Sequence, residues 1–259
     1  MAVRGITKVR NEAHIIGDTL DNWAQWCDAG IHVYCDHCTD RGSTAQICRE
    51  HKAVNEVIQS DLLDPDRERA EWFTRSMVLR SALRFCSDDD WVVYFDADEH
   101  LEQFNVNILN DQQTDMICCE SYDAYITPED AHYSEWDYSK RRWVMEKFQL
   151  SPYFYRCRNE LDFCRPDQRN MDLPRDAGVA LEGKVIHWGK AISVSKWEEK
   201  CDYYTETFGP KYAEKCAARR GQAVKEDMKC DFGLPLVLWE DVKKGKVPSS
   251  CRNGLIPIR

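Results

Sequence analysis

One run of residues constrains the fold of this chain more than any other: Trp-Val-Val-Tyr-Phe-Asp-Ala-Asp-Glu-His, from Trp91 to His100. Its first five residues are apolar or aromatic, which is typical of a strand that is buried on both faces. Side chains in an extended chain alternate between two faces, so we expect Asp96 and Asp98 to point the same way. Two carboxylates then lie at the carboxyl end of a buried strand, where open α/β sheets bind their ligands.

A divalent metal ion that also contacts a phosphate is the natural partner of this carboxylate pair. Neighbouring carboxylates repel each other, which raises at least one pKa unless a cation lies between them. Mg²⁺ and Mn²⁺ prefer oxygen ligands of this kind. The alternative interpretation is that Asp96 and Asp98 form only a polar transition from strand to loop, because three-residue Asp-x-Asp patterns are common.

Composition excludes several other classes of function. The chain has 259 residues, of which 43% are hydrophobic, enough for one large α/β domain or two small ones. A net charge of -10 argues against nucleic acid as the main partner, because phosphate backbones are bound by clustered Lys and Arg. No apolar run approaches the roughly 20 residues of a membrane span, and the first residues lack a signal-peptide core. We therefore expect a cytoplasmic protein without a membrane span.

The thirteen cysteines are expected to be reduced and mostly buried. Cys35 and Cys38 form a C-x-x-C pattern, but no second pair follows at the spacing of a zinc site. The sequence therefore disfavours zinc binding and redox chemistry at this motif.

Helical and extended patterns alternate in the first half of the chain. The expected strands are Gly5–Val9 and Ile31–Tyr34. The first is followed by a helix that Asn11 caps, with Glu12 in its first turn. The second is followed by a helix at Thr44–Gln59, with Ile47, Val54 and Ile58 on its core face, and by a helix that Asp64-Pro65-Asp66 opens. This alternation, with short connections, predicts a doubly wound α/β fold.

The second half is less regular and predicts three further strands followed by helices. The strands are expected at Met116–Tyr125, Trp143–Phe148 and Pro152–Cys157, and helical spacing runs from Ser195 to about Arg220. We expect a Rossmann-like, mostly parallel central sheet flanked by helices, with a helical C-terminal extension. The predicted organisation is a single domain over residues 1–259, with a nucleotide-binding half at 1–115, a second half at 116–195, and helices and a tail at 196–259.

Five segments, taken in order, resemble family 2 glycosyltransferases of the GT-A fold. They are Lys8–Glu12, Tyr34–Asp40, Arg75, the Asp-x-Asp strand at Val92–Glu99, and the His-Trp-Gly element within Val185–Gly189. The resemblance implies an enzyme that moves a sugar from a nucleotide-diphosphate donor to a hydroxyl of a carbohydrate or glycan acceptor, by inversion, with Mn²⁺ or Mg²⁺ as cofactor. Such a metal neutralises the charge that develops on the departing diphosphate.

The resemblance also implies roles for individual residues. Those expected to bind the nucleotide sugar are Val9, Asn11, Glu12, Asp36, Arg75 and Asp96. Those expected to bind the metal are Asp96, Asp98 and His187. Asp98 is expected to be the direct carboxylate ligand, Asp96 is expected to lie closer to the ribose or to a metal-bound water, and the nitrogen ligand favours Mn²⁺. Three alternatives stay open: His187 is a hydrogen-bonded core residue, Glu12 is a carboxylate stabilised by a helix dipole, or Asp36 is a simple turn aspartate. Cys35 stands where the family has an acidic residue, which puts a preference for uridine in doubt.

The resemblance makes residues 116–195 the acceptor half of the domain. An inverting transfer also needs a base in that half, which takes the proton from the acceptor hydroxyl. Asp167 is our first candidate, because Pro166 and flanking arginines suggest an ordered polar loop. The further candidates are Asp162, Asp172, Asp123 and Asp137, and the alternative for each is an ordinary surface carboxylate. Trp136, Trp143 and Trp188 could stack on sugar rings or belong to the core.

Two competing functions share parts of this pattern. A sugar-1-phosphate nucleotidyltransferase would need a Gly-rich phosphate loop after the first strand, where this chain has Arg10-Asn11-Glu12. A non-catalytic carbohydrate-binding scaffold could keep the same fold without turnover, and it would show no metal-dependent binding of a nucleotide diphosphate.

Overall fold

A computed structural model describes residues 1–61, 64, 66–163, 169–208 and 210–247. These residues form two compact units, of which the first contains Met1–Cys119 and Ser151–Gly183 and the second contains Glu120–Leu150 and residues 184–247. Within the described ranges, every helix is too short or too polar to cross a bilayer. The single domain expected over residues 1–259 stays a prediction.

Ten strands and six α-helices make up the described fold. The strands are β1 (Val3–Val9), β2 (Ile31–Asp36), β3 (Val54–Ser60), β4 (Trp91–Asp96), β5 (Glu99–Glu102), β6 (Met116–Tyr125), β7 (Trp143–Met145), β8 (Gln149–Arg156), β9 (Val179–His187) and β10 (Leu236–Leu238). The helices are α1 (Ile16–Ala24), α2 (Ser43–Glu50), α3 (Arg67–Leu83), α4 (Val194–Thr207), α5 (Pro210–Ala217) and α6 (Trp239–Lys243).

The first unit is built on a parallel sheet in the order β3-β2-β1-β4. Strand β8 adds to the β4 edge in the antiparallel direction. Trp91 to Phe95 are completely buried, as expected for a central strand covered on both faces. Helices α1, α2 and α3 flank this sheet, so the predicted α/β class with a mostly parallel central sheet is confirmed.

The register of the parallel strands brings several predicted site residues to one edge. Lys8 on β1 lies opposite Tyr34 on β2 and opposite Asp96 on β4. Val9 lies opposite Cys35, and Asp36 follows as the last residue of β2. Because neighbouring strands are about 4.8 Å apart, the carboxyl ends of β2, β1 and β4 form one continuous ledge.

The helix predicted at Thr44–Gln59 is wrong in its second half. Helix α2 ends at Glu50, and Val54–Ser60 is the edge strand β3. Val54 and Ile58 are four residues apart, which places them on one face of a helix and equally on one face of a strand. The apolar spacing was therefore ambiguous, and pairing with β2 decides the conformation.

Asn11 does not cap a helix, because α1 begins only at Ile16. Asn11 has a left-handed backbone with φ of 54°, a conformation that Asn tolerates better than most residues. Its side-chain oxygen accepts hydrogen bonds from the N–H groups of Thr39 at 2.7 Å and Asp40 at 3.2 Å. Asn11 thus joins the loop after β1 to the loop after β2, and Glu12 precedes the helix.

The second unit combines a small antiparallel sheet with the predicted C-terminal helices. Strand β7 pairs with β10 and with the part of β6 at Ala124 and Tyr125. The side-chain oxygen of Ser193 caps α4 by accepting a hydrogen bond from the N–H of Lys196 at 3.1 Å. The buried guanidinium of Arg141 donates to the carbonyl oxygens of several surrounding loop residues, namely Ala191, Asp130, Tyr133 and Ile192.

Arg156, at the end of β8, is a completely buried cation that ties together loops of the first unit. It donates to the carbonyl oxygens of Thr114 at 2.9 Å, Leu109 at 3.1 Å and Asp111 at 2.8 Å. Its guanidinium also lies 4.3 Å from the ring centre of Trp91, within the range of a cation–π contact.

We expect Arg156→Met to lower the free energy of unfolding by roughly 2–3 kcal/mol, because buried carbonyl oxygens lose their donors. Arg80→Met, which removes an exposed arginine of α3, should change it by no more than about 0.5 kcal/mol. Urea denaturation of both variants measures this difference. Equal losses in the two variants would contradict the role given to the buried guanidinium.

Candidate functional site

The Asp-x-Asp segment is a strand end followed by a turn. β4 ends at Asp96, Ala97 and Asp98 form the turn, and β5 begins at Glu99. The alternation of side chains between the two faces of the strand therefore stops at Asp96, and it does not extend to Asp98. The backbone N–H of Asp96 donates to the Glu99 carboxylate at 2.9 Å, which fixes this turn. Asp98 is buried, with 8% of its surface exposed.

Asp96 is held in its ionised form by a hydroxyl and by neighbouring cations. The Tyr94 hydroxyl donates to its carboxylate at 2.6 Å, and the guanidinium of Arg169 lies 3.7 Å away. Burial raises the pKa of this carboxyl, but Arg169, Arg75 and Lys8, together with the Tyr94 hydrogen bond, hold the pKa below its usual value. The side chain is still 32% exposed, so an ionised carboxylate oxygen is accessible to solvent at the ledge.

Arg75 reaches this carboxylate through Tyr94. It lies on α3, is 7% exposed, and its Nε donates to the Tyr94 hydroxyl at 3.0 Å. The carboxylate of Glu71, one turn earlier on α3, accepts a hydrogen bond from Arg75 at 2.9 Å. The ammonium group of Lys8 lies 3.3 Å from this Glu71 carboxylate. The predicted residues Arg75 and Asp96 are thus brought together within one network of charges in the first unit.

The bidentate ion pair of this network, Glu99 with Arg169, was not predicted. The two N–H groups of Arg169 donate to the two oxygens of Glu99 at 2.6 and 2.9 Å, a bidentate arrangement. Glu99 is 2% exposed and also accepts from the Tyr153 hydroxyl at 3.0 Å. The guanidinium lies between aromatic rings, 4.5 Å from the centre of Tyr153 and 5.1 Å from that of Tyr94.

Arg169 consequently stays protonated although it is mostly buried. Burial lowers the pKa of Arg169, but Glu99, Tyr153 and Asp96 raise it well above its ordinary value. The pair is separated by 70 residues along the chain. Only the adjacency of Glu99 to the Asp-x-Asp segment could have indicated it in the sequence.

The ends of β1 and β2 carry a second charge pair. Arg10 donates from Nε to the carbonyl oxygen of Asp36 at 2.9 Å, and its guanidinium also contacts the Asp36 carboxylate. Glu12 pairs with the mostly buried His14 at 3.2 Å. The ledge therefore presents carboxylates at Asp36 and Asp96, and arginines that could also pair with the oxygens of a phosphate.

His187 lies in the second unit at the end of β9, where its Nδ1 contacts the Asp123 carboxylate at 2.7 Å. Lys190 pairs with Asp123 at 2.9 Å and with Asp231 at 2.9 Å. Burial raises the pKa of Asp123, but His187 and Lys190 hold the pKa well below its usual value. A carboxylate of that kind orients a histidine ring but is a poor base, which argues against Asp123 as the acceptor base.

The other base candidates differ in their surroundings. Asp167 lies outside the described residues. Asp162 accepts a hydrogen bond from the N–H of Phe163 at 2.9 Å, and its backbone carbonyl accepts from the N–H of Asp172. Asp137 pairs with Lys140 on a short surface helix at 2.6 Å.

The three tryptophans divide between surface and core. Trp136 is 68% exposed, whereas Trp188 is 5% exposed and packs edge-on against Tyr138. Trp143 is partly buried against the cluster around Tyr125. Of the three, Trp136 presents the most surface that could stack on a sugar ring.

In the part of the chain that the structure describes, no group of three or more His, Cys, Asp or Glu side chains is arranged to hold a metal ion. A metal at the ledge would therefore take its further ligands from a substrate or from water.

Comparisons with known proteins do not assign the chain to a family. No protein-family model and no curated protein matches it. Among solved structures, S. aureus TarS 1-349 in complex with UDP-GlcNAc is 14% identical and has a TM-score of 0.46, covering 86% of this chain and 72% of that one. Mannosyl-3-phosphoglycerate synthase from Rubrobacter xylanophilus is 21% identical with a TM-score of 0.30, covering 52% of this chain and 43% of that one.

A third solved structure, the galactosyltransferase LgtC in complex with donor and acceptor sugar analogs, is 11% identical with a TM-score of 0.32, covering 60% of this chain and 58% of that one. All three TM-scores lie below 0.5, so these likenesses carry no argument about the activity of the chain.

Proposed function

We propose that this protein is a metal-dependent glycosyltransferase that binds a nucleotide-diphosphate sugar at the ledge and transfers the sugar, with inversion, to a hydroxyl acceptor. The observation that carries the proposal is the register of β1, β2 and β4. It brings Asp36, Arg10 and Asp96 to the edge of a parallel sheet at which α/β proteins bind nucleotides. The five sequence segments that resemble family 2 glycosyltransferases include the ends of all three strands.

The residues present fit a hard divalent cation. Asp96 offers an ionised, partly exposed oxygen, and Asp98 follows it in the turn. Mg²⁺ is commonly bound through one or two carboxylates, with water and substrate phosphates as its other ligands, and Mn²⁺ accepts the same donors. Such a metal supplies neutralisation of the departing diphosphate. A role for His187 as a nitrogen ligand rests on the resemblance and stays a prediction, as does the role of Asp167 as the base.

The chain's own residues would position the donor and balance its charge. Asp36 is suited to accept a hydrogen bond from the ribose or base of the nucleotide. Arg10, which now pairs with Asp36, could turn one N–H group toward a phosphate oxygen without leaving the ledge. Arg75 and Tyr94 would keep the Asp96 carboxylate in one orientation, since both are fixed by hydrogen bonds.

A donor panel tests the proposal directly. Purified protein is incubated with sugar nucleotides that differ in base and sugar, with and without Mn²⁺, and release of the nucleoside diphosphate is measured. We expect release from at least one donor, lost on chelation and restored by Mn²⁺ or Mg²⁺. If every donor stays intact and unbound with the metal present, the proposed function is wrong.

Tyr94→Phe is expected to reduce the rate of transfer by at least about tenfold. The hydroxyl donates to the metal-binding carboxylate, and a hydrogen bond to a charged group contributes about 1.5–3 kcal/mol. Tyr122→Phe is the matched control, because its hydroxyl donates to the carboxylate of Glu120 in the second unit. The measurement is the initial rate at saturating donor. Unchanged rates in Tyr94→Phe would show that this hydroxyl does not position Asp96.

A further inference from the structure

An acidic cleft of about 550 Å³ lies in the first unit, next to the start of β4 rather than its carboxyl end. Cys86 and Cys157 line it, together with the acidic residues Asp88, Glu160, Asp162 and Asp172. Cys86 follows α3 and Cys157 follows β8, and both thiols are partly exposed. The proposed sugar transfer uses neither of them.

The two thiols line the same cleft, and their surroundings make them unequal. The hydrogen bond from Cys157 lowers the pKa of Cys86 to about 7, and the guanidinium of Arg4 adds to this effect. The same interaction raises the pKa of Cys157. One sulfur is therefore suited to attack, and the other, which lines the same cleft, is suited to resolve the product.

We propose that Cys86 and Cys157 form a reactive dithiol that exchanges with small disulfides, preferentially cationic ones. Cys86 is the attacking sulfur and Cys157 the resolving sulfur. The preference for cations follows from the four carboxylic side chains of the cleft, which would attract a positively charged disulfide and repel an anionic one.

The proposed exchange takes place in two steps. The Cys86 thiolate attacks one sulfur of the small disulfide, its S–S bond breaks, and one small thiolate leaves. Cys157 then loses its proton to that thiolate or to water and attacks the Cys86 sulfur, which expels the second small thiol. The protein dithiol is oxidised to a disulfide, and the small disulfide is reduced to two thiols.

Cys118 provides the matched comparison. It is also partly exposed, but burial raises its pKa to about 11. At neutral pH a larger fraction of Cys86 than of Cys118 is therefore thiolate. The more acidic thiolate is intrinsically less nucleophilic, but this offsets only part of the difference in thiolate fraction, so we expect Cys86 to react faster than Cys118.

The experiment treats the full-length protein with the cationic disulfide cystamine and, separately, with the dianionic 3,3′-dithiodipropionate, and follows intact mass over time. Wild type is expected to lose two hydrogens with cystamine, and peptide mapping should join Cys86 to Cys157. Cys157→Ser should instead retain one cysteamine on Cys86. Cys86→Ser should lose the fast reaction by tenfold or more, whereas Cys118→Ser should keep it.

Several outcomes would overturn the proposal. One is a fast reaction that persists in Cys86→Ser, and another is a wild-type product in which Cys157 stays reduced. A faster reaction with the dianionic disulfide would remove the assignment of a cationic partner. The map of wild-type peptides needs no variant, so the result does not depend on whether a substituted protein folds.

Discussion

Asp96→Asn is expected to lower the rate of sugar transfer by at least about a hundredfold while the protein stays folded. The substitution keeps an oxygen that can accept the hydrogen bond from Tyr94, but it removes the charge that would bind the metal. Loss of one group that stabilises transition-state charge typically costs 10²–10³ in rate, or about 3–4 kcal/mol. The measurement is the initial rate of nucleoside-diphosphate release with the best donor and Mn²⁺.

Asp88→Asn is the control for this variant. It removes an exposed carboxylate beyond the other end of the same strand, so donor turnover should stay within about twofold of wild type. Circular dichroism of both variants separates lost chemistry from lost structure. Full activity in a folded Asp96→Asn protein would remove this residue from the site.

Glu99→Ala is expected to lower the free energy of unfolding by about 3–5 kcal/mol. Glu99 is almost completely buried, and its removal leaves the guanidinium of Arg169 without its bidentate partner. Breaking a buried ion pair on one side is costly because the remaining charge is desolvated and unpaired. Urea denaturation, followed by circular dichroism, measures the loss.

Two further variants separate this effect from an ordinary loss of a carboxylate. Glu160→Ala removes an exposed glutamate and should cost no more than about 0.5 kcal/mol. The double variant Glu99→Ala with Arg169→Met removes both charges and should recover part of the stability, because no buried charge is then left unpaired. If the double variant loses as much free energy of unfolding as the two single variants lose together, this interpretation of the pair is contradicted.

The architecture of the first unit could be predicted because its local patterns and its tertiary contacts agree. The buried run from Trp91 ends at Asp96, as its composition indicated. The strand at Met116–Tyr125, whose residues from Glu120 onward belong to the second unit, also has the bounds that the sequence predicted. The failure at Val54–Ser60 has a physical cause. An edge strand that is only half-buried carries a weak pattern, and apolar spacing of four fits both conformations.

The candidate site could be predicted only where its residues belong to local motifs. Arg75 and Asp96 were predicted because they lie in sequence segments that resemble a known family. In the structure, hydrogen bonds through the Tyr94 hydroxyl link the two side chains. Arg169 could not be found in this way, because its partner Glu99 is 70 residues away and no local pattern links them. The turn at Ala97 and Asp98 was missed because alternation was extended past the strand end.

Calorimetric titration of the protein with nucleoside diphosphates, with and without Mn²⁺, tests the central claim most directly. The account predicts that at least one nucleoside diphosphate binds in the presence of Mn²⁺, and that chelation or Asp96→Asn weakens this binding at least tenfold. Binding that is equally tight without metal, or that Asp96→Asn leaves unchanged, would contradict a metal-dependent diphosphate site at the ends of β1, β2 and β4.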